Sequence, residues 1–194
     1  MTEALFPEEA YVEILKVDDP YSPTGVAAGS NIQVTTDIDN FEEGGFEREI
    51  DHRPFFNNAK VTIKKQQNPG EITVNAKITR ALWDQILWGG TGSDFTSGGD
   101  QENYRLIFLV TKETGITAAS QALTGGFDHY RKIYANCNMT TFNPKLEVEG
   151  MLEGEATFSI PPTDEAANPN IRAQISGTAA FSAVGSFTAS QNWD

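Results

Sequence analysis

The stretch YRKIYANCNMTTF (130–142) sets Ile133, Ala135, Cys137 and Met139 against Tyr134, Asn136, Asn138 and Thr140. A period of two puts alternate side chains on opposite faces of an extended chain, so this is predicted as a strand with one buried and one wet face. Asn143-Pro144 is predicted to break it, because proline cannot donate to a ladder. The segment MLEGEATFSIPP (151–162) repeats the pattern, with Leu152, Ala156, Phe158 and Ile160 facing in and Glu153, Glu155, Thr157 and Ser159 facing out. Pro161-Pro162 ends that strand.

The same period recurs upstream. NIQVTTDID (31–39) sets Ile32, Val34 and Ile38 against Gln33, Thr35, Asp37 and Asp39. AKVTIKK (59–65) and EITVNAKI (71–78) flank Gln67-Asn68-Pro69-Gly70, and the three together read as a hairpin whose turn, if of type II, takes Gly70 at positive φ. YRLIFLVTK (104–112) is almost continuously apolar and reads as a strand buried on both faces. One helix is predicted over 79–88, capped by Thr79, with Leu82 and Ile86 on one face and Gly89-Gly90 as its end. Residues 116–126 fit a loop or a short helix. The small, polar tail 171–194 fits a last strand or an arm. The sum is a mainly antiparallel β domain with one principal helix, spanning 1–194.

A chain of 194 residues with 39% hydrophobic content can bury a core as one domain. The net charge is −13, so the electrostatic grip on nucleic acid that clustered Lys and Arg provide is not expected. Residues 1–51 hold thirteen acids against Lys16 and Arg48, and so carry nearly all of the net charge. From His52 to Arg80 the sign reverses, with six basic residues against Glu71. Such a contrast fits two solvated faces, or complementary surfaces that orient self-association. No stretch has the roughly 18 apolar residues of a membrane span, and the opening MTEALFPEEAYVE has no basic, then apolar, leader pattern. A cytoplasmic origin is expected.

The chemistry-bearing residues are sparse. Cys137 is the single cysteine, which leaves no intrachain disulfide or cysteine-based zinc site. His52 and His129 lack metal-ligand spacing and read as surface or packing residues. Asp37/Asp39 and Glu153/Glu155 each share a strand face, but their neighbours are Thr, Gln and Ser, not the apolar pocket that tunes a catalytic carboxylate. DIDNFEEGG has oxygens without the spacing of a calcium loop. No nucleophile elbow, phosphate loop or dinucleotide fingerprint occurs. The expectation is a protein that is not an enzyme, with no cofactor and no metal.

Three stretches together resemble the major tail tube proteins of long-tailed bacteriophages: NIQVTTDIDNFEEGGFEREIDHRPFFNNAKVTI, KITRALWDQILWGG, and YRKIYANCNMTTFNPKLEVEGMLEGEATFSIPPTDE. Contractile tail tubes and type VI secretion tubes share that fold. The resemblance implies an antiparallel β-sandwich or partly rolled barrel with one flanking helix and extended loop and terminal arms. It implies homohexameric rings whose inner strands join into one β-barrel around a lumen, stacked into a tube that conducts DNA. It implies assembly in the host cytoplasm, a final place in the virion tail, and no membrane. The implied partners are further copies of the chain, the tape measure, tail terminator and tail tip proteins, and DNA as non-specific cargo.

With that resemblance, the wet strand faces offer a lumen: Gln33, Thr35, Asp37, Glu153, Glu155, Thr157 and Ser159. The outer surface of a sandwich is the competing assignment for them. Residues 40–57 read as a long acidic loop that also holds Phe41, Phe46, Phe55 and Phe56. Exposed aromatics on a loop suit an interface anchor. The ring-stacking candidates are therefore those four, with Glu42, Glu43 and Glu47 meeting Lys60, Lys64 or Lys65 of a neighbour. A monomeric carbohydrate-binding sandwich is the rival; it would need exposed aromatics, for which Tyr11, Tyr21 and Tyr134 are the candidates.

Overall fold

A computed structural model describes residues 9–17, 26–33, 38–54, 60–67, 69–78, 82–88, 103–146, 152–161, 171–176, 179–181 and 184. Ten strands and one short helix appear among them. In chain order these are β1 (Glu9–Val17), β2 (Val26–Gln33), β3 (Ile38–Gly44), β4 (Arg48–Pro54), β5 (Lys60–Gln67), β6 (Gly70–Lys77), α1 (Leu82–Trp88), β7 (Asn103–Thr111), β8 (His129–Leu146), β9 (Leu152–Ile160) and β10 (Ile171–Ser176). The main sheet is antiparallel, in the order β2-β1-β7-β8-β9-β6-β3, with β10 also paired to β8. Mainly antiparallel β structure was the expectation, and this is what forms.

The long strand β8 is the pivot. Its first half pairs with β7 on one edge and β10 on the other, and its second half pairs with β9. The ladder with β7 skips a residue between the Tyr104–Cys137 and Leu106–Tyr134 pairs. An extra residue in one strand bends it and reverses which face each later side chain takes. Ile133 and Ala135 therefore enter one core, whereas Tyr134, Cys137 and Met139 enter the other. The single apolar face read from 130–142 is thus two faces. The sheet curls about this bend, so that β3 comes back over β7 and β8. The rings of Phe41 and Phe108 stack at 5.1 Å, 16° from parallel.

The larger core lies inside that curl and draws on β1, β6, β7, β8, β9 and α1. Helix α1 closes it: Trp83 and Ile86 are buried, and Trp83 stacks on Phe142 at 6.2 Å. The smaller core sits on the other face of β1, β7 and β8. Ile116, Ala119, Leu123, Phe181 and Val184 cover it from outside regular structure. Strand β7 is buried on both faces, as its continuous apolar run predicted.

Several other expectations are corrected. Residues 31–39 are not one strand: 26–33 pairs with β1 at one margin of the sheet and 38–44 with β6 at the other. Period two reports the face of a residue, not its partner, so the crossing was invisible. Residues 59–78 are not a hairpin, because β5 pairs with β4, and β6 with β3 and β9. Gly70 makes no positive-φ turn; it is buried beneath the ring of Phe46, where an added Cβ would lie 1.8 Å from that ring. Asn143-Pro144 does not end β8. Pro144 stands opposite Gly154 where β8 is a margin strand among the described strands, a place at which a sheet tolerates proline. Leu152 is exposed rather than buried, and Gly154 takes its inward place under Phe142. Residues 40–57, expected as a loop, contain β3 and β4 instead.

Candidate assembly surface

The outer face of β3, β6, β9 and the second half of β8 is a continuous polar surface. In its two inner strands, β6 and β9, it follows from alternation. In β9, Gly154, Ala156, Phe158 and Ile160 are buried while Glu153 and Glu155 are exposed and Thr157 and Ser159 half-buried. In β6, Gly70, Ile72, Val74 and Ala76 are buried, leaving Glu71, Thr73, Asn75 and Lys77 outward. Register aligns like with like: Thr73 opposes Thr157, while Asn75 and Asn143 flank Glu155.

One end of this face carries charges of alternating sign. Lys145 opposes Glu153, Glu153 opposes Lys77, and Lys77 bridges to Asp39 at 2.9 Å. The hydrogen bond from Lys77 to Asp39 holds the ammonium above its ordinary pKa, with the charges of Asp39 and then Glu153 adding to the effect. Cross-strand opposite-charge pairs of this kind favour the register in which they stand. The same end lines a cavity of about 350 Å³, between Asp39, Asn75, Asn143, Lys145, Glu153 and Glu155. Among the described residues no group of three or more His, Cys, Asp or Glu is placed to hold a metal ion.

The two margins of the polar face are open strand edges. Strand β3 pairs only with β6, and residues 138–146 of β8 only with β9, among the described strands. Unpaired edges are ready templates for another chain. Beyond the far end of the face, where Gly44 opposes Glu71, the chain continues into β4 and β5. These pair with each other as a separate two-stranded sheet. Gly45, at φ 81°, makes the break between the sheet and this hairpin.

The sequence-predicted residues divide accordingly. Glu153, Glu155, Thr157 and Ser159 share the polar face. Gln33 lies on β2, at the opposite margin of the main sheet, and Thr35 and Asp37 lie outside the described residues. Glu42 and Glu47 are exposed. Phe41 and Phe46 are half-buried and pack against the larger core, so neither is a free aromatic of the monomer. The reason is alternation: Phe41 opposes the buried Val74, and Gly70 makes room for Phe46. Phe55 and Phe56 lie outside the described residues, while Lys60, Lys64 and Lys65 lie on β5. Tyr134 is buried and Tyr11 packs on the smaller core, so neither builds a carbohydrate platform; Tyr21 lies outside the described residues.

One contact across the fold was not foreseen. Glu43 opposes Ile72 and so points inward. It meets Lys132 of β8 in an ion pair and accepts a hydrogen bond from the Tyr134 hydroxyl at 3.0 Å. The Lys132 ammonium also lies 5.4 Å from the centre of the Tyr134 ring. Burial, and then the charge of Glu43, push the Tyr134 pKa up. The same parity of Lys132 and Tyr134 was the available signal, but no sequence pattern brings β3 to them.

The fold is that of components of contractile injection systems. A chain in the cryo-EM structure of the sheath/tube terminator of an extracellular contractile injection system, PVC, in the extended state, matches with a TM-score of 0.51. It is 10% identical, over 90% of this chain and 99% of that one. A chain of the PVC sheath-tube complex matches at TM-score 0.50 and 11% identity, over 90% and 95%. A chain of the anti-feeding prophage baseplate, 6-fold symmetrised, matches at 0.50 and 10%, over 90% and 97%. No family model and no curated protein matches the chain.

Proposed function

We propose that this chain is a structural tube protein of a phage tail or tail-like injection device, assembling into stacked six-membered rings around a lumen. The observation that carries this reading is the four-stranded polar face bounded by two open edges, on a fold found in contractile injection systems. In the proposed ring the β3 edge of one copy pairs with residues 138–146 of the next, and the outer face becomes the lumen wall. Six copies give about 24 strands. At about 4.8 Å spacing and about 40° tilt they close at a radius of about 24 Å, larger than the 16–18-stranded barrels that already leave an aqueous channel. Glu153, Glu155, Thr157 and Ser159 then line a polar wall with little attraction for a passing polyanion. The β4–β5 hairpin leaves the sheet at one end, where it would reach an adjacent ring. No catalytic group is needed for this role. In the phage setting the conducted cargo is DNA, the place is the virion tail, and tape measure, terminator and tip proteins are the partners.

Negative-stain microscopy and size-exclusion chromatography test this directly. Rings or tubes are the expected result. A chain that stays a 21.2 kDa monomer at every concentration and salt tried would overturn the reading.

A further inference from the structure

We propose that Glu43 is a positioning residue for self-assembly: through Lys132 and Tyr134 it fixes the edge strand β3 at the angle a neighbouring copy must meet. This rests on the ring reading above. It differs from the reading of Glu43 as a charge offered to a neighbour, because the structure turns that carboxylate inward.

Among the described strands β3 pairs in a ladder only with β6, so that ladder alone leaves it free to twist about a single seam. Two contacts remove the freedom, and both cross the mouth of the curled sheet. Phe41 stacks on Phe108 at 5.1 Å and lies 6.2 Å from Tyr134. Two residues on, Glu43 is held by the Lys132 ammonium and the Tyr134 hydroxyl. The Lys132 and Glu43 side chains are 18% and 28% exposed, so the pair is screened less than a surface pair. The inward face of the edge strand therefore has two apolar anchors, Ile38 and Phe41, and one directional anchor, Glu43. Phe41 supplies area; the carboxylate, held from two sides, supplies angle.

The outward face of the same strand carries Asn40 and Glu42, whose side chains bond each other at 2.9 Å, and Asp39, which bridges to Lys77 of β6. None of the three reaches beyond β6. Contacts that tie the edge to β7 and β8 act from inside, and Glu43 is the charged group there. An edge that is pre-set does not have to be ordered during the encounter, which raises the rate of productive association. An edge left to twist presents the same hydrogen-bonding groups at the wrong angle.

The test compares assembly rate, by light scattering and microscopy, with monomer stability for a set of variants. Glu43→Gln keeps the shape and an acceptor for Tyr134 but loses the ion pair. It should fold with a wild-type circular dichroism spectrum and assemble slower by about tenfold. The exchange Glu43→Lys with Lys132→Glu should recover most of that loss, whereas either half alone should not. Asp128→Asn removes a different ion pair, with Lys112, away from the edge strand, and should assemble at the wild-type rate. Hydrogen exchange of the Asn40–Gly44 amides in the dilute monomer should quicken in Glu43→Gln and in no variant that retains the Glu43–Lys132 pair. Glu43→Gln assembling as fast as wild type, with unchanged exchange, overturns the positioning role while leaving the tube reading intact. A wild-type chain that forms no rings overturns both.

Discussion

Single residues carry packing decisions that can be tested one at a time. An added Cβ on Gly70 would lie 1.8 Å from the Phe46 ring, and one on Gly154 would lie 2.6 Å from the Phe142 ring. Gly70→Ala and Gly154→Ala should each destabilise the monomer by about 1–3 kcal/mol, read from urea midpoints, because an overfilled site forces rings off their rotamers. Under the 112–128 segment, the Thr111 hydroxyl links two groups. Its Oγ1 donates to Nδ1 of buried His129 at 2.8 Å and accepts from the Glu113 amide at 2.9 Å. His129 Nε2 lies 2.8 Å from the Thr124 carbonyl, so Nε2 is the donor there and Nδ1 is left as the acceptor for Thr111. Thr111→Val preserves shape but leaves His129 Nδ1 buried without its donor, and should cost about 1–3 kcal/mol. Next to it, the Thr124 hydroxyl bonds the Glu113 carboxylate and holds its pKa below the ordinary value. A lowered carboxylate pKa adds stability that is present above the unfolded-state pKa and lost as pH falls through the folded one. Thr124→Val should therefore weaken the protein at neutral pH and flatten its acid-side decline, measured as thermal midpoint against pH.

At the scale of elements, the hairpin of β4 and β5 is separable from the sheet that carries β3 and β6. Replacing residues 47–68 by Asn-Gly would join the two strands through a short turn beyond the Gly44–Glu71 pair. The shortened chain should keep its β spectrum and form rings, but those rings should not extend into tubes under the microscope. Tubes of normal length would remove the hairpin from the stacking contact. This partition also explains what could be read beforehand. Alternation in 151–160 and 71–78 gave the inward and outward residues of β9 and β6 almost without error, because each strand is straight and half-wet. It failed in β8, where a bulge moved Cys137 and Met139 to the other core from Ile133 and Ala135. It failed for 59–78 because strand pairing depends on distant segments, and a local turn motif cannot exclude them. Strand β1 went unread altogether: EAYVEILKV sets Glu13 at a fully buried position, where a local pattern puts an apolar residue. That carboxylate accepts from the Ser120 amide at 2.8 Å, a partner 107 residues away. The β6 and β9 strips of the polar face were thus legible from alternation, while its β3 and β8 margins and the clamp of Glu43, Lys132 and Tyr134 depend on the curl.

For the whole molecule, the decisive quantity is the sign of the wall that the outer face would present. The chain carries −13, and the outer face mixes Lys77 and Lys145 with Asp39, Glu42, Glu71, Glu153 and Glu155. Lys145, Glu153, Lys77 and Asp39 offset one another across adjacent strands, which leaves Glu155, Glu71 and Glu42 uncompensated within the row. A polyanion sliding past such a wall would meet lysines already offset by carboxylates, with little left for phosphates to neutralise, so the wall would not hold it. Reversing Glu153 and Glu155 to Lys converts that charged end of the face to a basic patch without touching a buried residue. If that face lines the lumen, tubes of the double variant should retain DNA that wild-type tubes release. Retention should fall steeply with salt, with a slope in log–log form near about −0.9 for each phosphate neutralised. Six copies per ring would repeat the patch around the wall, so even weak single contacts would add along the cargo. If the face were instead the outside of the assembly, the same variant would bind DNA on the tube exterior, where nuclease removes it. Nuclease-protected DNA in the variant tubes, and none in the wild type, is the expected outcome; nuclease-sensitive DNA would put the polar face on the outside.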